Sequence, residues 1–370
     1  MARGNDEILG LTGLRAVLAW WVVLFHFGRH LVPTAIARGL AGAGYLAVDV
    51  FFVLSGYVLA RRYLVVDLGA RAARRAFWAR RFARVYPLYV ASLVVGIGAS
   101  WPRSWSALTE PREQVALALQ IAVLNGWSHV AMFARNWAAW SLSVEAFFYA
   151  LLPLIFVRLR RLHVAGLAWV LVLSWAATFL APAVYTAVDP DHLGRSLRLG
   201  DEVYWSWYLK FFPVQRLPEL VAGAAAGLWR ARRGAAPFGR NARAVAVVAL
   251  VLAAAVLRVP YAYLQAGVLL PLAMIVIASL DGDPLRPATW LSHPWVTALG
   301  RASYATYILH VPVFLGFARL FPAAWESGRL VTAYMVVLLF LSVAAHRVLE
   351  EPGRRLLTRW LVRRHEHGTT

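Results

Sequence analysis

Ten residues separate Arg15 from His26 in the apolar stretch LRAVLAWWVVLFHF, residues 14–27. In a helix rising about 1.5 Å per residue the two lie roughly 16 Å apart along the axis. The hydrocarbon core of a bilayer is about 30 Å thick. If Arg15 marks one membrane face, His26 therefore sits near the midplane, a depth at which ionisable groups face a bundle interior or a wet cavity. An imidazole so placed suits general-base or nucleophilic work. A neutral histidine hydrogen-bonded across helices fits the position equally well.

Other polar groups recur in apolar surroundings. Glu145 lies in WSLSVEAFFY, residues 140–149, with Ser141 and Ser143. A carboxylate at that depth needs a partner or a proton, and a His–Glu couple would orient the imidazole for acid–base chemistry. A polar knot between packed helices is the alternative. In RRFARVYPLY, residues 80–89, Arg80, Arg81 and Arg84 share one helical side at a membrane boundary. They suit lipid headgroups, or the phosphates of a cytoplasmic ligand, which guanidinium grips in bidentate fashion. Pro87 bends or opens that helix. Ser55 and Gly56 in FFVLSGY suit close helix contact, and Asp49 lies nearer the outer end of the same span. Ser303, Tyr307 and His310 follow at steps of four and three in GRASYATYILHVP and share a face. In FPVQRLPEL, Arg216 and Glu219 are spaced to pair, and Gly223 and Gly227 give a GxxxG spacing; this cluster reads as mainly structural. The last span closes on His346, Glu350, Glu351 and Pro352.

These residues need membrane helices to hold them. The 370-residue chain is 61% hydrophobic and only 15% charged, with a mean hydropathy of +0.59; a soluble domain is closer to half apolar and carries more charge. The sequence predicts a polytopic, all-α transmembrane helix bundle forming a single domain over 1–370. Spans are expected at about 13–32, 43–61, 84–100, 140–157, 164–182, 213–230, 242–258, 262–280, 304–321 and 329–349. The N-terminus does not resemble a cleaved signal. The net charge of +20 falls in short arginine clusters between apolar segments, so it reads as topology signals and anionic-lipid contacts, with no nucleic-acid partner. The absence of cysteine excludes disulfides and a cysteine nucleophile, and no metal site is expected.

The stretch 115–133 is apolar but contains Gln120, Asn125, Gly126 and His129. The arginine-rich loop 61–84 belongs in the cytoplasm. If 115–133 crossed fully, the clusters at Arg158–Arg161 and Arg230–Arg233 would face outside; if it does not cross, both lie inside. The expectation is therefore ten spans, both termini cytoplasmic, and a re-entrant or interfacial 115–133 segment. The long outer loops are then 101–139 and 183–212. The second carries Asp189, Asp191, His192, Asp201 and Glu202 beside Trp205, Trp207 and Tyr208, a composition that suits a sugar-facing surface or an interfacial aromatic belt.

Taken in order, Arg15-x10-His26, FFVLSGY, RRFARVYPLY, WSLSVE, RLPEL and SYATYILH resemble the acyltransferase-3 family of membrane acyltransferases, over almost the whole chain, in its standalone form without a periplasmic hydrolase-like domain. The resemblance implies transfer of an acetyl or other short acyl group from acetyl-CoA to a hydroxyl of a carbohydrate, glycolipid or glycoside, in the inner (plasma) membrane. It makes Arg15 and His26 the essential pair, Glu145 the acid of WSLSVE, and Arg80, Arg81 and Arg84 the basic entry to the donor site. The family often continues after that acid with Glu-Gln-Phe-Tyr, whereas here Ala146, Phe147, Phe148 and Tyr149 follow. On this reading acetyl-CoA is a substrate and no cofactor is permanently bound. His26 acts as base or as a nucleophile forming acetyl-imidazole, and Ser55, Tyr307 and His310 contact substrate. A secondary transporter or flippase for a glycan or lipid-linked precursor also fits ten spans with buried charge, but the internal repeat common in such folds is not found. The residues leave the acceptor, the acyl length and the oligomeric state open.

Overall fold

The computed structural model describes residues 7–32, 34–100, 109–193, 204–234, 246–247, 260–281 and 290–366. Among them the chain is helical, with no strand. Six helical stretches are long and apolar enough to cross a membrane: Leu9–His30, Arg71–Ala99, Trp137–Leu159, Val164–Val188, Tyr261–Leu280 and Gly328–Val362. Three shorter apolar helices, Leu46–Arg62, Leu217–Arg233 and Ser303–Leu320, coincide with the other expected spans. The expected span 242–258, except Ala246 and Val247, lies outside the described residues, as do Asp201 and Glu202. The fold is thus the all-α membrane helix architecture that the composition demands, because helices satisfy their own backbone hydrogen bonds where water cannot.

Contacts divide the chain into two compact units, each assembled from three separated segments. The first comprises Met1–Leu64, Leu159–Asp201 and Pro218–Ser303. It holds α1 (Leu9–Phe27), α2 (Ala35–Gly42), α3 (Leu46–Arg62), α7 (Val164–Ala177), α8 (Leu180–Val188), most of α10 (Leu217–Arg233), α11 (Leu270–Leu280) and α12 (Pro294–Arg301). Small residues let its backbones touch. A Cβ at Gly223 would collide with the Val53 carbonyl oxygen, one at Gly56 with that of Leu220, and one at Gly300 with that of Thr12. Close approach of this kind drives helix association in lipid, and the GxxxG spacing and the Ser–Gly step serve it here. At one end of α3 the Asp281 carboxylate accepts a 2.6 Å hydrogen bond from Tyr57 and pairs with Arg61 at 2.9 Å. Arg230 donates to the Asp281 carbonyl at 2.8 Å.

The second unit comprises Val65–Arg158, Glu202–Leu217 and Tyr304–Thr370. It contains α4 (Arg71–Ala99), α5 (Pro111–Ile121), α6 (Trp140–Leu159), α9 (Tyr204–Phe211), the body of α13 (Ser303–Leu320), α14 (Gly328–Ala345) and α15 (Glu351–Glu366), the last two joined through a π-helical turn at His346–Glu350. Proline interrupts three of these helices. Pro153 cannot donate to Tyr149, and the Trp78 indole donates to that carbonyl instead, at 2.9 Å. Pro312 likewise abandons Ile308, whose carbonyl takes the Asn136 amide at 2.9 Å. Near Pro87 the Tyr304 hydroxyl donates to the Val85 carbonyl at 2.7 Å.

The segment 115–133 forms no continuous span. α5 has 11 residues, about 16 Å of rise, roughly half of a hydrocarbon core. The chain then turns through Val123, folds into short helices at Asn125–Trp127 and His129–Met132, and doubles back. Buried Gln120 holds the turn by donating to the Ala131 carbonyl at 3.0 Å and to that of Ala134, while Arg135 donates to Gln120 at 3.1 Å. Protein groups thus satisfy the irregular backbone of this reversal, as an apolar interior requires.

Candidate active site

Arg15 and His26 project from α1 of the first unit. Eleven positions at 100° each bring them to within about 20° of one another around the helix, three turns apart. Both are half-buried. The His26 ring packs edge-on to Phe25, with centroids 4.8 Å apart. Its Nδ1 lies 3.0 Å from the Val22 carbonyl oxygen. A carbonyl only accepts, so Nδ1 carries the proton and Nε2 is the basic nitrogen of the neutral ring. The histidine therefore has its tautomer set by its own helix. Ser55, half-buried, and Asp49, buried, belong to α3 of the same unit.

The remaining expected site residues lie in the second unit. Arg81 is buried, with Arg80 and Arg84 on the same helix less so. The Arg81 guanidinium stands 5.9 Å from the centre of the Tyr149 ring, and its buried Nε has no hydrogen-bond partner. Tyr149 lies beside Glu145, one turn along α6, and both Arg81 and Arg84 act on it electrostatically. Tyr304 of α13 lies within electrostatic reach of Glu145, Tyr149, Tyr89 and Glu350. Glu350 is itself buried and takes the His346 imidazole at 2.8 Å across the π-helical turn. Acid, arginine and tyrosine groups from α4, α6, α13 and the π-turn thus converge within one unit. π-Turns inside helices are often found at functional sites.

Tyr307 and His310 are buried neighbours on α13, with ring centroids 5.7 Å apart. Tyr307 accepts from Ser141 at 2.8 Å and donates to the Ala138 carbonyl at 3.2 Å. His310 turns its Nδ1 onto the Tyr307 carbonyl, and its own carbonyl accepts from Tyr334 at 2.7 Å. Arg216 is buried, donates to the Lys210 carbonyl at 2.7 Å and lies 5.7 Å from the Trp140 ring centre. Glu219 packs against Gly267 in the first unit. Among the described residues no group of three or more His, Asp or Glu side chains could hold a metal ion.

Sequence spacing pointed to Glu145 but passed over Tyr149, although four residues on a helix place them together. Nothing in the spacing joins Tyr304 or Glu350 to Glu145, because they come from three separate helical segments.

Six helices long and apolar enough to cross a membrane, with ionisable groups buried within the helical units, mark this chain as an integral membrane protein. The chain belongs to the acyltransferase-3 family, whose model, described as an acyltransferase domain, matches residues 8–347. It is 29% identical over 381 aligned residues to the acyltransferase MdmB of Streptomyces mycarofaciens, covering 94% of this chain and 92% of that one. It is 27% identical to BcsY of Komagataeibacter xylinus, provisionally named a membrane-bound transacylase, over 94% of this chain and 82% of that one. It is 24% identical to SACOL0978 of Staphylococcus aureus strain COL, provisionally named an O-acetyltransferase, over 83% of this chain but 50% of that one, so it spans about half the length of this relative. No solved structure matches the chain. The protein is an acyltransferase of the membrane.

Proposed function

We propose that this acyltransferase moves an acetyl, or another short acyl group, from acyl-CoA on the cytoplasmic side to a hydroxyl of a carbohydrate or glycoconjugate acceptor, with both chain termini in the cytoplasm. The observation that carries the reading is the Nδ1–Val22 hydrogen bond at 3.0 Å, which makes Nε2 of His26 the basic nitrogen. In the direct route Nε2 takes the acceptor's hydroxyl proton, the hydroxyl oxygen attacks the thioester carbonyl, and the C–S bond breaks. The imidazolium then returns the proton to the departing CoA thiolate. In the two-step route Nε2 itself attacks the thioester carbonyl, the C–S bond breaks and CoA leaves as the thiolate. The acceptor hydroxyl oxygen then attacks the acetyl-imidazole, the N–C bond breaks, and the freed Nε2 takes the hydroxyl proton and passes it to the thiolate. The Val22 carbonyl orients the ring, and Glu145 serves as a further acid–base group of the reaction. Arg15, Arg80, Arg81 and Arg84 bind the phosphates of the donor. Ser55, Tyr307 and His310 contact the acyl and acceptor groups. Acyl-CoA is a substrate in this scheme, and no resident cofactor is required. Membership of an acyltransferase family supports this reading over a transporter that would move its cargo unmodified.

The test uses purified protein in nanodiscs and acetyl-CoA labelled in the acetyl group. CoA release that disappears in His26→Ala supports the scheme, and label trapped on the protein selects the two-step route. Release at the parental rate from a correctly inserted His26→Ala protein removes His26 from the mechanism.

A further inference from the structure

The segment that reverses between α5 and α6 carries groups that the mechanism does not use. Asn125 is fully buried, and neither its amide nitrogen nor its amide oxygen has a hydrogen-bond partner. Ser143, one turn into α6, is 1% exposed, and its hydroxyl is likewise unpartnered. Gly126 brings the two segments together: a Cβ there would lie 3.0 Å from the Ser143 Cβ and 3.2 Å from its Oγ. Buried polar groups in proteins are nearly always hydrogen-bonded, and each exception calls for an explanation. The backbone that presents Asn125 is also strained. Val123, a β-branched residue, has φ +59°, a left-handed conformation that such side chains rarely adopt and that clusters at binding sites.

We infer that Asn125 and Ser143, on two segments that meet at Gly126, form an acceptor subsite that binds neutral hydroxyl groups of a sugar ring. An amide presents one donor face and one acceptor face, and a serine hydroxyl presents both. A ring hydroxyl donates and accepts in the same way. The unpartnered groups carry no charge, so the subsite matches neutral sugar hydroxyls and leaves anionic substituents unmatched. The subsite rests on the proposed acyl transfer to a carbohydrate and specifies which residues hold that carbohydrate.

The experiment compares the parent, Asn125→Leu and Ser143→Ala in nanodiscs. It reads thermal unfolding, acetyl-CoA binding, and CoA release stimulated by a panel of neutral methyl glycosides. Removing an unpartnered buried polar group does not weaken a fold, so Asn125→Leu is expected to unfold at the parental temperature or above. Acetyl-CoA binding is expected to match the parent. Glycoside-stimulated release is expected to fall roughly tenfold, as for one lost hydrogen bond of about 1.4 kcal/mol, with Ser143→Ala showing a smaller loss of the same kind. A large drop in unfolding temperature makes Asn125 structural and overturns the inference. Unchanged stimulation in both variants overturns it as well, and so does a parent that cleaves acetyl-CoA but responds to no neutral glycoside. A parent that does not bind acetyl-CoA overturns the proposed donor reaction instead.

Discussion

The indole N–H of Trp78 donates to the backbone carbonyl of Tyr149 at 2.9 Å, the carbonyl that Pro153 leaves without its helical donor. One side chain on α4 thereby repairs a break in α6, beside the Arg81, Tyr149 and Glu145 group. Trp78→Phe is expected to lower stability by about 1 kcal/mol. In a Pro153→Ala background the new N–H can satisfy Tyr149 directly, so the same substitution should then be nearly neutral. Thermal unfolding of the four proteins in nanodiscs measures the coupling. An equal loss in both backgrounds would mean that Trp78 acts only through packing.

Gly223→Ala should prevent α3 and α10 from reaching their observed approach, since its Cβ would strike the Val53 carbonyl oxygen. A loss of about 3 kcal/mol or failure to fold is expected, in line with overpacking costs. A Cβ at Gly98 in α4 would meet no other atom within 4 Å, so Gly98→Ala should be neutral or stabilising by up to about 1 kcal/mol. Comparing the folded yield and unfolding temperature of the two variants decides whether backbone contact, rather than glycine content, holds the first unit.

Tyr57→Phe deletes the 2.6 Å hydrogen bond to the buried Asp281 carboxylate. Bonds to charged groups contribute roughly 1.5–3 kcal/mol, so the unfolding temperature should drop clearly. Asp281→Asn keeps an acceptor for Tyr57 but removes the charge facing Arg61, and should destabilise the unit too. If neither variant changes thermal unfolding, the ion pair at the end of α3 has no structural weight.

Arg81 is buried against Tyr149, whereas Arg80 is more exposed. If Arg81 grips a donor phosphate, Arg81→Lys should raise the KM for acetyl-CoA roughly tenfold with kcat little changed, because lysine cannot make the bidentate contact. Arg80→Lys should change KM much less. A fall in kcat with unchanged KM for Arg81→Lys would instead tie this guanidinium to the chemical step.

Several features were legible in the residues alone. The order of short motifs identified the family. The polar residues of 115–133 and the distribution of arginines argued against a full crossing, and an 11-residue α5 followed by a reversal agrees. The small-residue spacings at Gly56, Gly223 and Gly227 predicted close helix contact, which the structure contains. Tertiary structure alone decided which groups serve one another. Asn136 answers Ile308 across 172 positions, Trp78 answers Tyr149 across 71, and Tyr304 meets the fields of Glu145 and Glu350 from different helices. Periodicity settles only the face of a helix on which a side chain stands. The partner is chosen by how helices distant in sequence pack, and in an apolar interior that packing determines which polar groups are satisfied and which, like Asn125, are left without a partner.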